Sequence, residues 1–206
     1  MTVSSRTRLN VDERRSQLLT LGLRLFATRA YDEVSIDAIA EEAGVSKGLL
    51  YHYFGGKRAY YLATIEHAAA QLLTSMNDVP DDVVGPARAR AGLAAYLDFV
   101  EAHGNAYATM VSGGVGADPE VAALHERTRS AIIGNILADL GLETPRPMFE
   151  VALRHYIGGV EATAIDWHAR RHLSRDALLA FLTEQIRATL EVALSLDPDA
   201  PIVLDP

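Results

Sequence analysis

The chain contains no cysteine in 206 residues. That one absence excludes a disulfide framework, thiolate zinc sites, iron–sulfur clusters and thiol catalysis. No apolar run reaches the ~18 residues of a membrane span, and Met1 to Asn10 is polar, without the apolar stretch of a signal peptide. The expectation is a soluble, cytoplasmic protein with no membrane partner. Lysine is scarce, with Lys47 and Lys57 the whole supply. Strand-like alternation and internal repeats are also missing. What is present is 49% hydrophobic and 22% charged residues. This is a globular rather than a disordered balance, with length enough for one or two domains with a real core.

The net charge of -8 argues against a polyanionic partner until it is divided along the chain. Residues 1–58 hold 9 Lys+Arg against 7 Asp+Glu, whereas residues 59–206 hold 10 against 20. Between Glu42 and Glu66 there is no acid, and Lys47, Lys57 and Arg58 fall in that gap. A basic patch on an acidic body can hold a polyanion, because screening limits repulsion beyond about 8–10 Å. Chance clustering in a short window would look the same, and charge alone leaves both readings open.

The punctuation is helical throughout. Asn10 and Glu13 have capping-box spacing ahead of a helix over about 11–29, with Leu18, Leu21, Leu25 and Phe26 on its inner face. Tyr31 and Asp32 read as a turn. Ser35 caps a short helix over 36–43, which Gly44 stops; Ser46 caps a second over about 47–54, which Gly55 and Gly56 end. Longer helices follow over 57–76 and 87–103, with a short segment around 105–111. Asp118-Pro119 starts a helix that Gly141 closes. The last two span about 145–171 and 174–195, and 196–206 is a proline-containing tail. The expected organisation is a flexible arm (1–10), a small three-helix head (11–58), a larger helical body (59–195) and the tail.

The two short helices joined by Ala43-Gly44-Val45-Ser46 have the layout of a helix-turn-helix. Leu50 and Phe54, four apart, share a face and point to the core, which turns Lys47, Gly48, Tyr51 and His52 outward. Val45 is placed to plug the space between the helices. The start of the second helix offers free N–H groups and a positive dipole end to a phosphate.

Arg24-Leu25-Phe26-Ala27, the run Val34 to Phe54 (above all Gly44-Val45-Ser46 followed by Leu50-Tyr51-His52-Tyr53-Phe54) and Lys57 resemble the tetracycline-repressor (TetR) family of bacterial transcriptional regulators. The matching stretch covers about a quarter of the chain. It departs at Gly56, where the family more often has a small polar residue. The resemblance implies an all-α fold: an N-terminal three-helix DNA-binding domain with a helix-turn-helix, plus a larger helical ligand-binding and dimerisation domain. It implies that Lys47, Gly48, Leu49 and Tyr51 line the major-groove face. Ser35, Ser46, His52, Tyr53 and Lys57 would then meet phosphates. For Tyr53 and Leu49 a packing role stays open, and for Lys57 that of a helix-start lysine.

The resemblance further implies a homodimer through the helices over 145–171 and 174–195, reading an inverted-repeat operator on double-stranded DNA. Gly158, Gly159, Ala162 and Ala169 would permit close helix approach, and Leu178, Leu182, Ile186 and Leu190 form an apolar stripe that suits either that interface or the intramolecular core. The body is expected to hold an apolar pocket for a hydrophobic or amphipathic small-molecule effector. Tyr96, Phe99, His103, Tyr107, Met110, Phe149, Tyr156 and Trp167 are its candidate lining, though each also suits plain core. The function expected is a ligand-responsive repressor, neither an enzyme nor dependent on a cofactor. The competing class is a helical enzyme or scaffold that keeps the fold without binding DNA. His168 and His172 have chelating spacing, but Arg170 and Arg171 between them would repel a cation, so no metal site is expected. The Ser112–Gly116 loop lacks the Lys-Ser or Lys-Thr of a phosphate loop.

Overall fold

Short polar side chains start the helices of this protein and glycines stop several of them. Ala38 N–H donates to Ser35 Oγ at 3.0 Å, Leu49 N–H to Ser46 Oγ at 3.2 Å and Ala177 N–H to Ser174 Oγ at 3.2 Å. Each bond satisfies a donor that the first helical turn leaves without a backbone partner. Gly44, at φ 64°, takes the left-handed conformation that reverses the chain between the two short helices, and its N–H returns to the Ala40 and Glu41 carbonyls.

The computed structural model describes residues 11–111, 118–142 and 146–202, apart from the side chains of Asn105, Ala106, Thr109 and Met110. The expectations for the arm 1–10, the Asn10 cap, the Ser112–Gly116 loop, the helix start at Thr144-Pro145 and residues 203–206 of the tail fall outside the described residues. Those described form α1 (Val11–Thr28), a 3-10 turn (Tyr31–Glu33), α2 (Ile36–Ala43), α3 (Lys47–Phe54), α4 (Lys57–Asn77), α5 (Gly85–Val111), α6 (Pro119–Asp139), α7 (Pro147–Arg170) and α8 (Arg175–Leu196). The fold is all-α. None of these helices is long and apolar enough to cross a membrane.

The chain falls into two compact units, Met1–Ala68 and Ala69–Pro206, so α4 contributes residues to both. In the first unit α1 buries Leu18, Leu21, Leu25 and Phe26 as its periodicity predicts, and Leu19 and Leu23 as well. Val34, Ile39, Leu50, Phe54 and Tyr60 complete that core. The Tyr60 hydroxyl donates to the Leu18 carbonyl at 2.5 Å. A Cβ at Gly22 would lie 2.4 Å from Thr64 Oγ1 and 2.8 Å from the Tyr60 hydroxyl, so α1 and α4 approach more closely there than any side chain permits. Phe26, Tyr31, Phe54, Tyr60 and Tyr61 pack ring against ring around this contact.

In the second unit α7 is the central helix. It packs most extensively on α8, and α5 lies against both. One expectation is corrected here and one open alternative is decided. The break near residue 104 does not exist, because α5 is one 27-residue helix. Gly104 serves as a notch instead: a Cβ would lie 2.2 Å from His168 Nε2. The stripe Leu178, Leu182, Ile186 and Leu190 is intramolecular core, each residue buried against the unit's own helices. His172 lies beyond the end of α7, where Arg171 takes a left-handed conformation (φ 49°), so it and His168 do not share a helical face.

Candidate nucleic-acid interface and ligand cavity

The periodicity of α3 divides it into two faces. Leu50 is 1% exposed and Phe54 is buried, which anchors the helix to the core of the first unit. Lys47, Gly48 and His52 are exposed, as is Tyr51 at 47%; Leu49 and Tyr53 are half-buried. Ser35 and Ser46 lie exposed at the starts of α2 and α3. Each hydroxyl oxygen accepts its capping bond, which leaves the O–H free to donate to another acceptor. Tyr53 packs at ring distance from His52 and Phe54.

Both lysines have partners. Lys47 Nζ lies 2.9 Å from each Asp37 carboxylate oxygen. That hydrogen bond and charge raise the lysine above its ordinary value of 10.5 and keep it cationic. Lys57 Nζ stands 4.2 Å from the centre of the Tyr31 ring, a cation–π contact. The arrangement offers two positive charges, several free donors and an aromatic edge on a surface centred on an exposed helix, chemistry suited to phosphates and base edges.

The second unit encloses a cavity of about 350 Å³ between α4, α5, α6, α7 and α8. Its walls are mainly apolar, with Leu72, Met76, Leu93, Ile132, Ile157 and Val160 among them. Of the aromatic candidates, Tyr96, Tyr107 and Tyr156 line it. Phe99, His103, Phe149 and Trp167 do not. Phe99 packs on His103 and Tyr107, and Phe149 is wholly buried in core. Trp167 is fixed by its indole N–H, which donates to the Leu173 carbonyl at 2.9 Å, and by the Arg171 guanidinium over its ring. The side chain of Met110 is outside the described residues.

The reading of the sequence missed the polar cluster at this cavity. Glu161, on α7, is a buried carboxylate. His125 Nε2 lies 2.9 Å from its Oε1, and Arg129 donates to its Oε2. Burial pushes the Glu161 carboxyl up, but the hydrogen bonds from His125 and Arg129, with their charges, outweigh it and hold the group below its ordinary value of 4.5. An ionised carboxylate only accepts, so the His125 Nε2 carries the proton. At the same cavity the Tyr96 and Tyr107 hydroxyls bond to each other at 2.8 Å. Tyr156 donates to the Leu182 carbonyl at 2.9 Å. A signal for Glu161 did exist: it falls on the inward stripe of α7 with Ile157, Val160 and Ala164, where a lone acid implies buried partners.

Residues 18–64 match the family model for bacterial regulatory proteins of the tetR family, and residues 87–189 match the model for the tetracyclin repressor-like C-terminal domain. The HTH-type transcriptional activator FasR of Mycolicibacterium smegmatis is 32% identical over 174 residues, which cover 82% of this chain and 76% of that relative. The chain belongs to the TetR family. It is therefore a DNA-binding transcription regulator and not an enzyme. A tetR-family regulator from Streptomyces coelicolor has the same architecture, with a TM-score of 0.81 and 34% identity over 93% of this chain and 86% of its own. FadR of Bacillus subtilis, solved with stearoyl-CoA, shares the fold at a TM-score of 0.66 but only 16% identity, over 87% of this chain and 97% of its own. The family assignment makes the first unit the one that carries the helix-turn-helix domain.

Proposed function

We propose that this regulator binds an inverted-repeat operator as a homodimer and changes its DNA affinity when a hydrophobic or amphipathic small molecule occupies the cavity of the second unit. The observation that carries this reading is the exposed face of α3, where Lys47, Gly48, Tyr51 and His52 are presented on an acid-free stretch of the chain. Lys47, Gly48, Leu49 and Tyr51 face the major groove in this reading, and Ser35, Ser46, His52, Tyr53 and Lys57 are the phosphate contacts.

Dimerisation through α7 and α8 is supported by what those helices leave uncovered. Val151, Gly159 and Ala162 are exposed on α7, and Ala177, Phe181 and Val192 on α8, with Phe181 at 51%. Large exposed apolar side chains beside small ones are what a helix-on-helix interface between copies requires. A ligand response is supported by α4, which gives Tyr60 and Thr64 to the core of the first unit and Leu72 and Met76 to the cavity walls of the second. A ligand can shift DNA affinity by no more than its differential affinity for the two states.

Repression by operator occupancy is the sense of regulation proposed. FasR, the Mycolicibacterium smegmatis relative, is named an activator, so the sense is tested by deleting the gene and following transcription from the bound promoter. A repressor's deletion raises that transcription. DNA binding itself is tested by anisotropy titration of a labelled upstream fragment at several salt concentrations. Three or four phosphate contacts per half-site predict a log–log salt slope on the order of -5 to -7. A flat dependence would rule out DNA as the partner of α3.

A further inference from the structure

Two phenols meet at the cavity wall with one hydrogen bond between them. Tyr96 and Tyr107 both line the cavity, their hydroxyls 2.8 Å apart and their rings edge-on. Each hydroxyl has one proton to donate, and a single bond uses one of them. Whichever tyrosine donates, the other is left with an O–H that no described protein group accepts. A buried donor without an acceptor is unfavourable, so the site calls for an accepting atom from outside the protein.

The neighbouring polar groups do not compete for that role. Tyr156 gives its proton to the Leu182 carbonyl and Thr128 its own to the Leu124 carbonyl. Burial holds both Tyr96 and Tyr107 well above the ordinary phenol value, so the spare group stays a donor throughout the physiological range. Every guanidinium lining the cavity already faces carboxylates, Arg129 with Glu161 and Glu126, Arg88 with Asp139, and Arg187 with Glu184 and Glu191, although the buried Arg129 Nε itself has no hydrogen-bond partner among the described residues. An anionic ligand would therefore enter beside the buried Glu161 carboxylate, among guanidinium charges that carboxylates already balance.

We infer that the cavity selects a neutral, largely apolar molecule carrying one accepting oxygen, of the ketone, ester or amide class, and that the Tyr96–Tyr107 pair binds this oxygen. The inference rests on the cavity being the effector site. It makes the tyrosine pair the specificity determinant within mainly apolar walls.

The test uses three probes on one skeleton: butylbenzene, butyrophenone and 4-phenylbutanoate, titrated into the full chain by ligand-detected NMR. An apolar cavity without a donor prefers butylbenzene, because burying an unpaired carbonyl is costly. The tyrosine pair reverses that order, with butyrophenone bound more tightly by on the order of tenfold and the carboxylate weakest. Tyr96→Phe and Tyr107→Phe each leave one O–H, so each single variant still favours the ketone. The double variant loses the preference while still binding butylbenzene, which also reports that the cavity is folded. Tighter butylbenzene than butyrophenone in the unmodified protein, a ketone preference that survives in the double variant, or 4-phenylbutanoate as the tightest probe overturns the inference but leaves the cavity a ligand site. Failure of all three probes to bind overturns the effector site as well.

Discussion

The exposed face of the first unit and the cavity of the second use their polar side chains at different range. In the first, Ser35 and Ser46 bond to backbone N–H groups three residues away, and the Lys47–Asp37 pair spans two adjacent short helices at the surface. In the second, Glu161 reaches His125 and Arg129 on another helix, and Arg175 reaches Asp98 and the Ala94 carbonyl on α5. Local polar bonds shape the end of one helix and cost little when lost. Long-range bonds to a buried charge leave stranded partners when broken. The first unit therefore tolerates polar substitution at its working surface, while the second has concentrated its polar stability beside its cavity.

The largest expected effect lies at that cluster. Glu161→Ala leaves His125 and Arg129 facing a hole, and urea unfolding should show a loss of about 3 kcal/mol, the low end for a broken buried pair because Arg129 keeps Glu126 and some solvent. The same group sets an acid dependence. Its folded carboxyl is held below the ordinary value of 4.5, so its stabilisation is fully present above that pH and is lost as pH falls through the lower folded value. Acid unfolding of the variant should lack that portion of the transition. A loss under 1 kcal/mol would mean the pair is effectively solvated and would erase the contrast between the units.

Next in size is a paired test of packing. Gly22→Ala forces a methyl against Thr64 Oγ1 and the Tyr60 hydroxyl, both fully buried and the latter bonded to Leu18. Gly104→Ala meets the His168 imidazole, a half-exposed ring that can swing outward. The first substitution should cost about 2–3 kcal/mol and the second less than about 1, compared by urea midpoints. Equal costs would show that the close helix approach in the first unit is not the tighter one. Smaller again is Ser46→Ala, which removes the α3 cap and should cost about 1 kcal/mol, read by thermal unfolding.

This ordering explains what could be read in advance. Caps, stops and the two-faced pattern of α3 depend on residues three or four apart, so Ser35, Gly44, Ser46, Leu50 and Phe54 announced the first unit almost residue by residue. The break expected between 103 and 105 does not form, and the glycine between those two ranges admits a neighbouring ring instead, which only the packing of α7 reveals. The aromatic side chains around the cavity failed for the same reason. Helical spacing places Tyr107 and Trp167 on inward faces equally, and only the packing of α5, α6 and α7 decides which meets the cavity and which the core. The Leu178 stripe suited either an internal or an external partner, and buried area decided for the internal one.

The smallest expected effect on stability comes from Asp37→Asn, and it is the most informative about α3. Asp37 holds Lys47 with both carboxylate oxygens, yet the two side chains are 71% and 50% exposed, so the pair contributes little to folding and thermal unfolding should not move. On DNA the carboxylate has two opposed consequences. It places a negative charge near phosphates, which weakens binding to every sequence, and it fixes the direction of the lysine, which favours the base that lysine meets. Removing it should raise affinity for random duplex by a few-fold at low salt while narrowing the gap between operator and random DNA. Lys47→Ala should narrow that gap too but lower both affinities. If Asp37→Asn raised operator and random binding by the same factor, Asp37 would act through charge alone, and the lysine's orientation would be set by the DNA rather than by α2.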